Sequence, residues 1–381
     1  MTFDALITPS LLLDKARFFN NIAAMAARAK ALGVRLRPHM KTCKSVAVGR
    51  HVLGGDWDAI AVSTLVEARA FFEAGVRDIR YTAPFAAEKL AAIAPMIQDG
   101  LHFEVLLDNA VSAARLGEAA AALNADVAVM IELDIDGYRG GCRPDGEGFQ
   151  ALLRTLDASP HLSLQGLYSY GGKTYGLPDR TEREALIEKH RRVLSQTAET
   201  LRKAGRTIGT VGLGGSPPLQ TAQTLEGLTE ACAGVFVFED LAQAGVGVTR
   251  LDDIAVTVLA SVVQHAPDSG RVYIDAGSLA LAQDRSTAKQ AHDQGYGLVC
   301  DAETCEPLGD GDLIVAAVSQ EHGQIRRRDG GPAPAELLPV GARVRVMPNH
   351  VCMTANPYEG YHVVEKGAVT AWWPRANGWS V

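Results

Sequence analysis

The sequence predicts a (β/α)8 barrel of the TIM type followed by a C-terminal antiparallel β domain. Before Gly245, about eight short apolar runs alternate with helical patterns, and roughly 240 residues is the usual size of such a barrel. After Arg250 the apolar runs follow one another with turns and no long helix between them, which indicates antiparallel strands. An open, doubly wound sheet is the alternative for the first part.

Eight candidate strands support the barrel. Continuous apolar runs of this kind suit parallel strands that are buried on both faces. A helical pattern starting near Leu12 precedes the first strand, and three later helices have N-cap residues at Thr64, Asn109 and Asp179. The strands, in order, are VRLRP, DAIAVS, DIRYTA, FEVLLD, DVAVMIELD, LSLQGLYSY, TIGTVGLG and EACAGVFVF.

The domain boundary is predicted near residue 248. The barrel domain covers 1–248, with residues 1–10 free to pack on the β domain, which covers 249–381. The β domain contains the apolar runs DIAVTVLASVVQHAP, GRVYIDAG, GYGLVCDAE, DLIVAAVSQEHGQI, GARVRVMPNHVC and GYHVVEKGAVTAWWP.

Composition excludes several classes of protein. The 381 residues are 47% apolar and carry a net charge of −7, with both signs mixed along the chain, so no nucleic-acid or membrane partner is expected. No apolar run is long enough to span a bilayer, and MTFDALITPS does not look like a signal peptide. Six scattered cysteines favour a reducing compartment, and the cytoplasm is expected.

Unusual residues follow the predicted barrel strands, where this fold carries its chemistry. Lys41, in RPHMKTCKS, follows the first strand, Arg139 the fifth and Tyr170 the sixth. Gly214-Gly215-Ser216 follows the seventh and presents N–H groups to an anion. Taken one at a time, each has an ordinary structural interpretation. Lys41 would be a surface cation, Arg139 a salt-bridge partner, Tyr170 a core residue and the Gly-Gly-Ser stretch a tight turn. In this order they predict a pyridoxal phosphate site, with a Schiff-base lysine facing a phosphate loop.

The β domain carries a candidate metal pair in PNHVC. His350 and Cys352 are two residues apart, so in a strand they lie on one face. Imidazole and thiolate suit zinc, with water or substrate completing the coordination shell. A chance pairing in a strand is the alternative.

These motifs resemble those of the fold type III pyridoxal phosphate enzymes that include D-serine dehydratase, D-threo-3-hydroxyaspartate dehydratase and D-threonine aldolase. RPHMKTCK resembles their R-P-H-x-K-T-x-K element, and PNHVC resembles their metal element, P-N-H-x-C or P-S-H-x-D. QEHG at 320–323 and DAG at 275–277 also fit. The resemblance spans nearly the whole chain.

The resemblance implies a set of site residues and a homodimer. Lys41 would form the Schiff base, and Arg139 would lie near the pyridine nitrogen. The metal would be zinc, with Mn²⁺, Co²⁺ or Mg²⁺ as alternatives, held by His350 and Cys352. The remaining cofactor and phosphate residues would be Tyr170, Gly214, Gly215, Ser216, Gly234 and Val235.

The reaction implied is a lyase reaction on a D-3-hydroxy amino acid such as D-serine, D-threonine or D-threo-3-hydroxyaspartate. In a dehydratase Lys41 removes the α-proton, the metal activates the β-hydroxyl as leaving group, and a 2-oxo acid and ammonia form. The alternative is retro-aldol cleavage to glycine and an aldehyde. Cys352 favours dehydration because thiolate selects zinc. The loop YGGKTYGLPD also lacks the histidine base that an aldolase would use, although Lys173 or Tyr175 could take that role.

Two other classes of pyridoxal phosphate protein fit parts of this pattern. A single-barrel cofactor carrier would lack the β domain and the His-x-Cys pair. A racemase would need no metal and would place a tyrosine such as Tyr358 or Tyr361 opposite the lysine. A second substrate carboxylate would need a cation such as Lys173, Arg285 or Lys289, and Glu321 and His322 could support the metal.

Overall fold

A computed structural model describes residues 5–54 and 59–380. The chain forms two compact units. The barrel unit comprises Ala24–Gly234 and Ala376–Val381, and the β unit comprises Met1–Ala23 and Val235–Arg375. All six cysteines are free thiols. No helix within the described residues is both long enough and apolar enough to cross a membrane.

The chain alternates strands and helices in its first part and is mostly β-structure afterwards. The strands are β1 Ser10–Asp14, β2 Arg35–Pro38, β3 Ile60–Val62, β4 Asp78–Tyr81, β5 His102–Leu107, β6 Val127–Glu132, β7 Leu162–Tyr170, β8 Thr210–Gly214, β9 Glu230–Ala233, β10 Val256–Ala266, β11 Arg271–Ile274, β12 Leu298–Asp301, β13 Leu313–Val318, β14 Gly323–Arg327, β15 Arg343–Met347, β16 Gly360–Glu365 and β17 Ala368–Pro374. The helices are α1 Lys15–Ala31, α2 Val46–Val52, α3 Leu65–Glu73, α4 Leu90–Gln98, α5 Ala110–Leu123, α6 Glu147–Asp157, α7 Arg180–Lys203, α8 Ser216–Thr221, α9 Leu241–Gly245, α10 Ser278–Leu281 and α11 Val351–Thr354.

The barrel unit is built on eight parallel strands in the order β2-β9-β8-β7-β6-β5-β4-β3. A parallel bridge between His39 and Ala61 joins the two ends of this sheet, and the N–H group of Met40 donates to the carbonyl of Ala61 at 2.8 Å. All eight predicted strands are present in chain order. The predicted barrel class is therefore confirmed, and the open sheet is excluded.

Helix caps in the barrel unit agree with the sequence. The side chains of Thr64, Asn109 and Asp179 accept hydrogen bonds from backbone N–H groups in the first turns of α3, α5 and α7. Each cap satisfies a donor that has no partner inside its helix, which fixes where the helix begins.

The β unit is a nine-stranded sheet in the order β11-β14-β13-β12-β15-β10-β1-β16-β17, with an additional pairing of β11 to β10. That pairing closes six of the strands into a small barrel. The pairs are antiparallel except for β1 and β16, which run parallel. Lys366 and Gly367 both have positive φ and form the tight turn between β16 and β17, as the right-handed twist of a hairpin requires.

Three local expectations were wrong. The helix predicted from Leu12 begins at Lys15, because Ser10–Asp14 pairs with β10 and β16 as strand β1. The eighth barrel strand ends at Ala233, and Val235–Val237 forms a 3-10 turn instead. Strand β15 ends at Met347, so the His-x-Cys pair lies beyond it in a turn that enters α11.

A buried ionic network crosses the interior of the barrel. Glu230 on β9 accepts hydrogen bonds from Arg37 on β2, at 2.8 Å, and from Arg80 on β4. Arg80 also donates to Glu104 on β5, and Arg37 to Asp78 at 2.8 Å. Burial alone would raise the pKa of Glu230, but Arg80 and Arg37 outweigh it and lower that pKa below its ordinary value.

The network predicts a large stability loss for Glu230→Gln. Removing this one carboxylate leaves two buried guanidinium groups without their shared counter-ion, which should cost ~3–5 kcal/mol in the free energy of unfolding. Urea denaturation followed by far-ultraviolet circular dichroism would measure it. Glu226→Gln, at an exposed position, is the control and should lie within ~0.5 kcal/mol of wild type. Equal losses for the two variants would contradict the prediction.

Candidate functional site

The two lysines of the RPHMKTCKS stretch have different surroundings. Lys44 is buried, and its ammonium group pairs with Glu67 at 2.7 Å. Lys41 follows β2 and is half-buried. Among residues 5–54 and 59–380, no hydrogen bond or ion pair engages the side-chain nitrogen of Lys41. Lys44 is therefore a structural cation, whereas the amine of Lys41 is available for chemistry.

His39 holds the backbone at Lys41. Its Nδ1 accepts the N–H group of Lys41 at 3.2 Å, and its Nε2 lies 2.7 Å from the hydroxyl oxygen of Thr82. Burial, then the positive charges of Lys41, Arg139 and Lys44, hold the pKa of His39 well below its ordinary value. The imidazole is thus neutral at physiological pH and can act as an acceptor toward Lys41.

The Gly214-Gly215-Ser216 turn connects β8 to α8. Gly215 has φ +123°, a conformation that side-chain-bearing residues rarely adopt. A Cβ on Gly214 would lie 1.8 Å from the hydroxyl oxygen of Tyr168, so this position has room only for glycine. The N–H group of Ser216 is held at 3.2 Å by the hydroxyl of Tyr175, a residue whose role the sequence left open. The N–H group of Gly215 donates to the carbonyl of Cys232 at 2.8 Å. The turn therefore brings two successive backbone N–H groups together beside a glycine backbone, the kind of surface that suits a phosphate group.

Arg139 and Tyr170 contact each other. Arg139 lies in the loop after β6, with its guanidinium carbon 4.2 Å from the centre of the Tyr170 ring. It also pairs with Glu132 at 3.3 Å. Burial raises the pKa of Glu132 although Arg139 opposes this shift. Tyr175 lies on the other side, with its ring centre 6.2 Å from that of Tyr170.

Gly234 and Val235 follow β9. A Cβ on Gly234 would lie 2.8 Å from the carbonyl oxygen of His39, so the backbone passes close to the residues that carry Lys41. Strands β2, β9, β8, β7 and β6 are successive neighbours, and their carboxyl ends carry Lys41, Gly234, the glycine turn, Tyr170 and Arg139. These residues fit pyridoxal phosphate, because an amine without an ion-pair partner among the described residues, a glycine turn and an arginine share one end of the barrel.

His350 and Cys352 are brought together by the turn into α11. His350 is the N-cap residue, with φ −136°, and the Cys352 side chain is hydrogen-bonded to its imidazole. Asp284 contacts Nδ1 of the same ring at 3.4 Å. Asp240 accepts the N–H group of Val351 at 3.1 Å and so fixes the turn between the two candidate ligands.

Charged and polar groups surround the His350 imidazole and shift its pKa. Burial alone would lower the pKa of His350, but hydrogen bonds to Asp284 and Cys352 raise it well above its ordinary value. Burial would likewise raise the pKa of Asp284, yet His350 and Ser286 lower it to about 2. An imidazole and a thiol in contact fit a soft divalent cation. Within the described residues no group of three or more His, Cys, Asp or Glu side chains is arranged to hold an ion.

The remaining candidates for metal support or for substrate binding are exposed residues. Glu321 and His322 are exposed in the turn between β13 and β14, where Ser319 donates its N–H group to the carbonyl of His322 at 2.8 Å. Arg285 is exposed and pairs with Asp293 at 2.6 Å. Lys173 and Lys289 are also exposed. The carboxylate beside His350 is instead Asp284.

A buried network supports the loops that carry Arg139 and Tyr175. His190 on α7 contacts the hydroxyl oxygen of Ser169 at 3.0 Å and Asp136 at 3.3 Å. The N–H group of Lys173 donates to the same carboxylate at 3.4 Å. His190 therefore connects β7, the loop after β6 and the loop after β7. Periodicity could not reveal it, because a buried histidine on a helix has the same pattern as a core residue.

A cavity of about 700 Å³ lies in another part of the barrel unit. It lies between α6 and α7, with Phe149 and Leu201 among its apolar lining and Lys189 among its polar lining. None of the candidate cofactor residues lines it. Its volume alone therefore does not mark the site of chemistry.

Sequence and structure comparisons agree on one family. The profile of the alanine racemase N-terminal domain matches residues 13–241, and that of the putative serine dehydratase domain matches residues 255–364. The chain is 36% identical over 382 residues to D-threo-3-hydroxyaspartate dehydratase of Delftia sp. (strain HT23), covering 99% of each chain. It is 29% identical to D-threonine aldolase of Arthrobacter sp., covering 98% of this chain and 93% of the relative.

A solved structure gives the same result. The metal-free form of a cysteine-to-alanine mutant of D-threo-3-hydroxyaspartate dehydratase superposes with a TM-score of 0.95 at 36% identity, covering 100% of both chains. Together with the barrel fold, these matches define an enzyme of the pyridoxal phosphate-dependent lyase class. The chain belongs to the family of alanine racemase-like barrel enzymes that contains these dehydratases and aldolases.

The depressed pKa of His39 predicts a specific loss of stability in mild acid. Unfolded His39 has a pKa near 6.5, so below about pH 6.5 the unfolded chain binds a proton that the folded chain does not. His39 therefore favours folding fully above this pH, and its contribution is lost as the pH falls from about 6.5 toward the folded pKa.

Urea denaturation of wild type and His39→Gln between about pH 7.5 and 5 would measure this effect. The free energy of unfolding of wild type should fall more steeply below about pH 6.5, by at most ~1.4 kcal/mol per pH unit relative to the variant. Parallel curves for the two proteins would mean that His39 titrates alike in both states.

Proposed function

We propose that this protein is a pyridoxal phosphate- and metal-dependent dehydratase that converts a D-3-hydroxy amino acid to a 2-oxo acid and ammonia. The observation that carries the proposal is the amine of Lys41, which has no hydrogen bond or ion pair to any described residue and lies at the same barrel end as the Gly214–Ser216 turn. We assign cofactor binding to a barrel domain, 1–248, and metal binding to a β domain, 249–381. The Delftia relative of the same length supports this activity.

Each cofactor residue has a physical role. Lys41 would hold the cofactor's aldehyde covalently, since no carboxylate of the described residues pairs with its amine. The backbone of Gly214, Gly215 and Ser216 would bind the phosphate, with Gly234 and Val235 completing the cradle from the next strand. Arg139, stacked on Tyr170, would face the pyridine nitrogen with a permanent positive charge and keep a proton off it. When bound, the cofactor supplies an electron sink for the α-carbon of the substrate.

Proton transfer would fall to Lys41. Once the substrate amine has displaced it, its amine can accept the α-proton as a general base. His39 contributes by fixing the backbone of Lys41 through the 3.2 Å hydrogen bond to Nδ1. Because its imidazole remains neutral, His39 adds no positive charge that would oppose protonation of Lys41.

His350 and Cys352 would hold the metal, which we propose to be zinc. A bound zinc ion supplies a Lewis acid that weakens the bond to a departing β-hydroxyl. Cys352 is the reason for preferring zinc, because thiolate is a poor ligand for hard cations such as Mg²⁺. The metal-free form of a D-threo-3-hydroxyaspartate dehydratase mutant supports a metal requirement in this family.

Dehydration is favoured over aldol cleavage by the loop after β7. An aldolase needs a base near the β-hydroxyl, and residues 171–179 contain no histidine. His190 lies beyond that loop, on α7. Its side chain is 1% exposed and is hydrogen-bonded to Ser169 and Asp136. It is therefore not placed to act on a substrate. Aldol cleavage of the same substrates is the second candidate, and it is favoured by the similarity to the Arthrobacter aldolase.

A product assay tests the proposal. Purified protein with zinc should release a 2-oxo acid and ammonia from at least one of D-serine, D-threonine and D-threo-3-hydroxyaspartate. Lys41→Ala should lower this rate ~100-fold or more and abolish the visible absorption of the lysine-bound cofactor. Lys203→Ala, at an exposed helix end, is the control and should behave as wild type. Chelation should stop turnover but leave the visible absorption unchanged.

The products distinguish the two candidates. Glycine and an aldehyde would refute dehydration and establish the aldolase. An unchanged rate after chelation would remove the metal from the proposal. Normal visible absorption in Lys41→Ala would show that another lysine holds the cofactor.

We also propose that the chain forms a homodimer. Large apolar side chains are exposed beside the candidate residues of each unit, since Tyr138 is 56% exposed next to Arg139 and Met353 is 52% exposed next to Cys352. Exposed apolar groups of this kind commonly mark interfaces. Light scattering during size-exclusion chromatography should give twice the 40.5 kDa of one chain. A mass of one chain across the concentration range would contradict the proposal.

A further inference from the structure

Asp284 has both carboxylate oxygens engaged. Its Oδ1 accepts the N–H group of Ser286 at 2.8 Å and also the Ser286 hydroxyl. Its Oδ2 contacts Nδ1 of His350 at 3.4 Å. The serine side of the carboxylate belongs to its own turn, so the turn orients the other oxygen toward the imidazole.

Buried hydrogen bonds tie this turn to the residue before His350. The Asn349 side-chain amide donates to the carbonyls of Asp284, at 3.0 Å, and Gly295, at 2.6 Å. Its oxygen accepts the Thr287 hydroxyl at 2.9 Å. Asn349 and Thr287 are 2% and 0% exposed. The position of Asp284 relative to His350 is therefore set by the fold and not by a chance surface contact.

The contact decides which imidazole nitrogen can bind a cation. In the neutral ring, which is the form that binds a metal, a proton on Nδ1 that is donated to Asp284 leaves the free lone pair on Nε2. A carboxylate on the far nitrogen fixes the ring orientation and increases its strength as a ligand. Asp240 holds the turn from the other side through the N–H group of Val351, so Cys352 keeps its place beside the ring.

We propose that Asp284 is a positioning residue that orients His350 so that Nε2 binds the metal. The inference rests on the proposed metal site and extends it to a residue outside the PNHVC motif. Asp284 itself does not contact the ion.

Zinc affinity, measured by competition with a chromophoric chelator on cofactor-loaded protein, tests the inference without an activity assay. Asp284→Ala should bind zinc about 10- to 100-fold more weakly than wild type. Asp284→Asn retains an oxygen acceptor for Nδ1–H and should recover part of this loss. Glu336→Ala, an exposed carboxylate of the β unit, should have no effect.

Ser286→Ala separates orientation of the ring from support of the loop. It removes the hydroxyl contact to Oδ1 and leaves the contact between Oδ2 and His350, so zinc affinity should stay within about threefold of wild type, far less than the typical loss for an outer-shell partner. A loss as large as that of Asp284→Ala would show that loop structure, and not the imidazole contact, sets the affinity. Unchanged zinc binding by Asp284→Ala would also overturn the inference.

His350→Ala distinguishes failure of the inference from failure of the metal site. If His350→Ala weakens zinc binding and Asp284→Ala does not, only the positioning role is lost. If neither variant changes zinc binding, the proposed metal site itself is wrong. The visible absorption of the cofactor and the unfolding midpoint confirm that each variant is folded.

Discussion

The barrel depends on a cluster of opposite charges inside it. Glu230 joins Arg37, on the neighbouring strand β2, to Arg80, which lies on β4 and is not adjacent to β9. A parallel barrel needs its interior filled, and here part of the filling is ionic. Each partner removed leaves a charge buried without compensation, so the cluster tolerates little change. The strands that it joins include those whose ends carry Lys41 and Gly234.

The chemical difference between Lys41 and Lys44 follows from this scaffold. The chain leaves β2 and turns through His39, so that Lys44 reaches Glu67 on α3 while Lys41 remains without a counter-ion among the described residues. A lysine held in an ion pair would make a poor nucleophile, because its lone pair is used by a proton that the carboxylate stabilises. Only two residues, Thr42 and Cys43, thus separate a structural lysine from an available one.

The turn that carries His350 and Cys352 also separates a structural residue from available side chains. The side-chain amide of Asn349 has a structural role, since it makes three hydrogen bonds. His350 and Cys352, by contrast, remain partly exposed. Two carboxylates from distant parts of the β unit, Asp240 and Asp284, hold the backbone and the ring respectively. His350 and Cys352, the proposed metal ligands, gain a defined orientation from these neighbours.

The sequence by itself determined the barrel class, its eight strands, the caps of α3, α5 and α7, and the placement of Lys41 and of the glycine turn directly after their strands. These depend on local patterns of two to four residues, which periodicity and capping chemistry report directly. Tertiary structure decided that Ser10–Asp14 is a strand, because pairing with β10 and β16 outweighs its helical pattern. It also brought Tyr175 to Ser216 and Asp284 to His350. Contacts between residues tens of positions apart leave no periodic trace in the chain, so only the fold could reveal them.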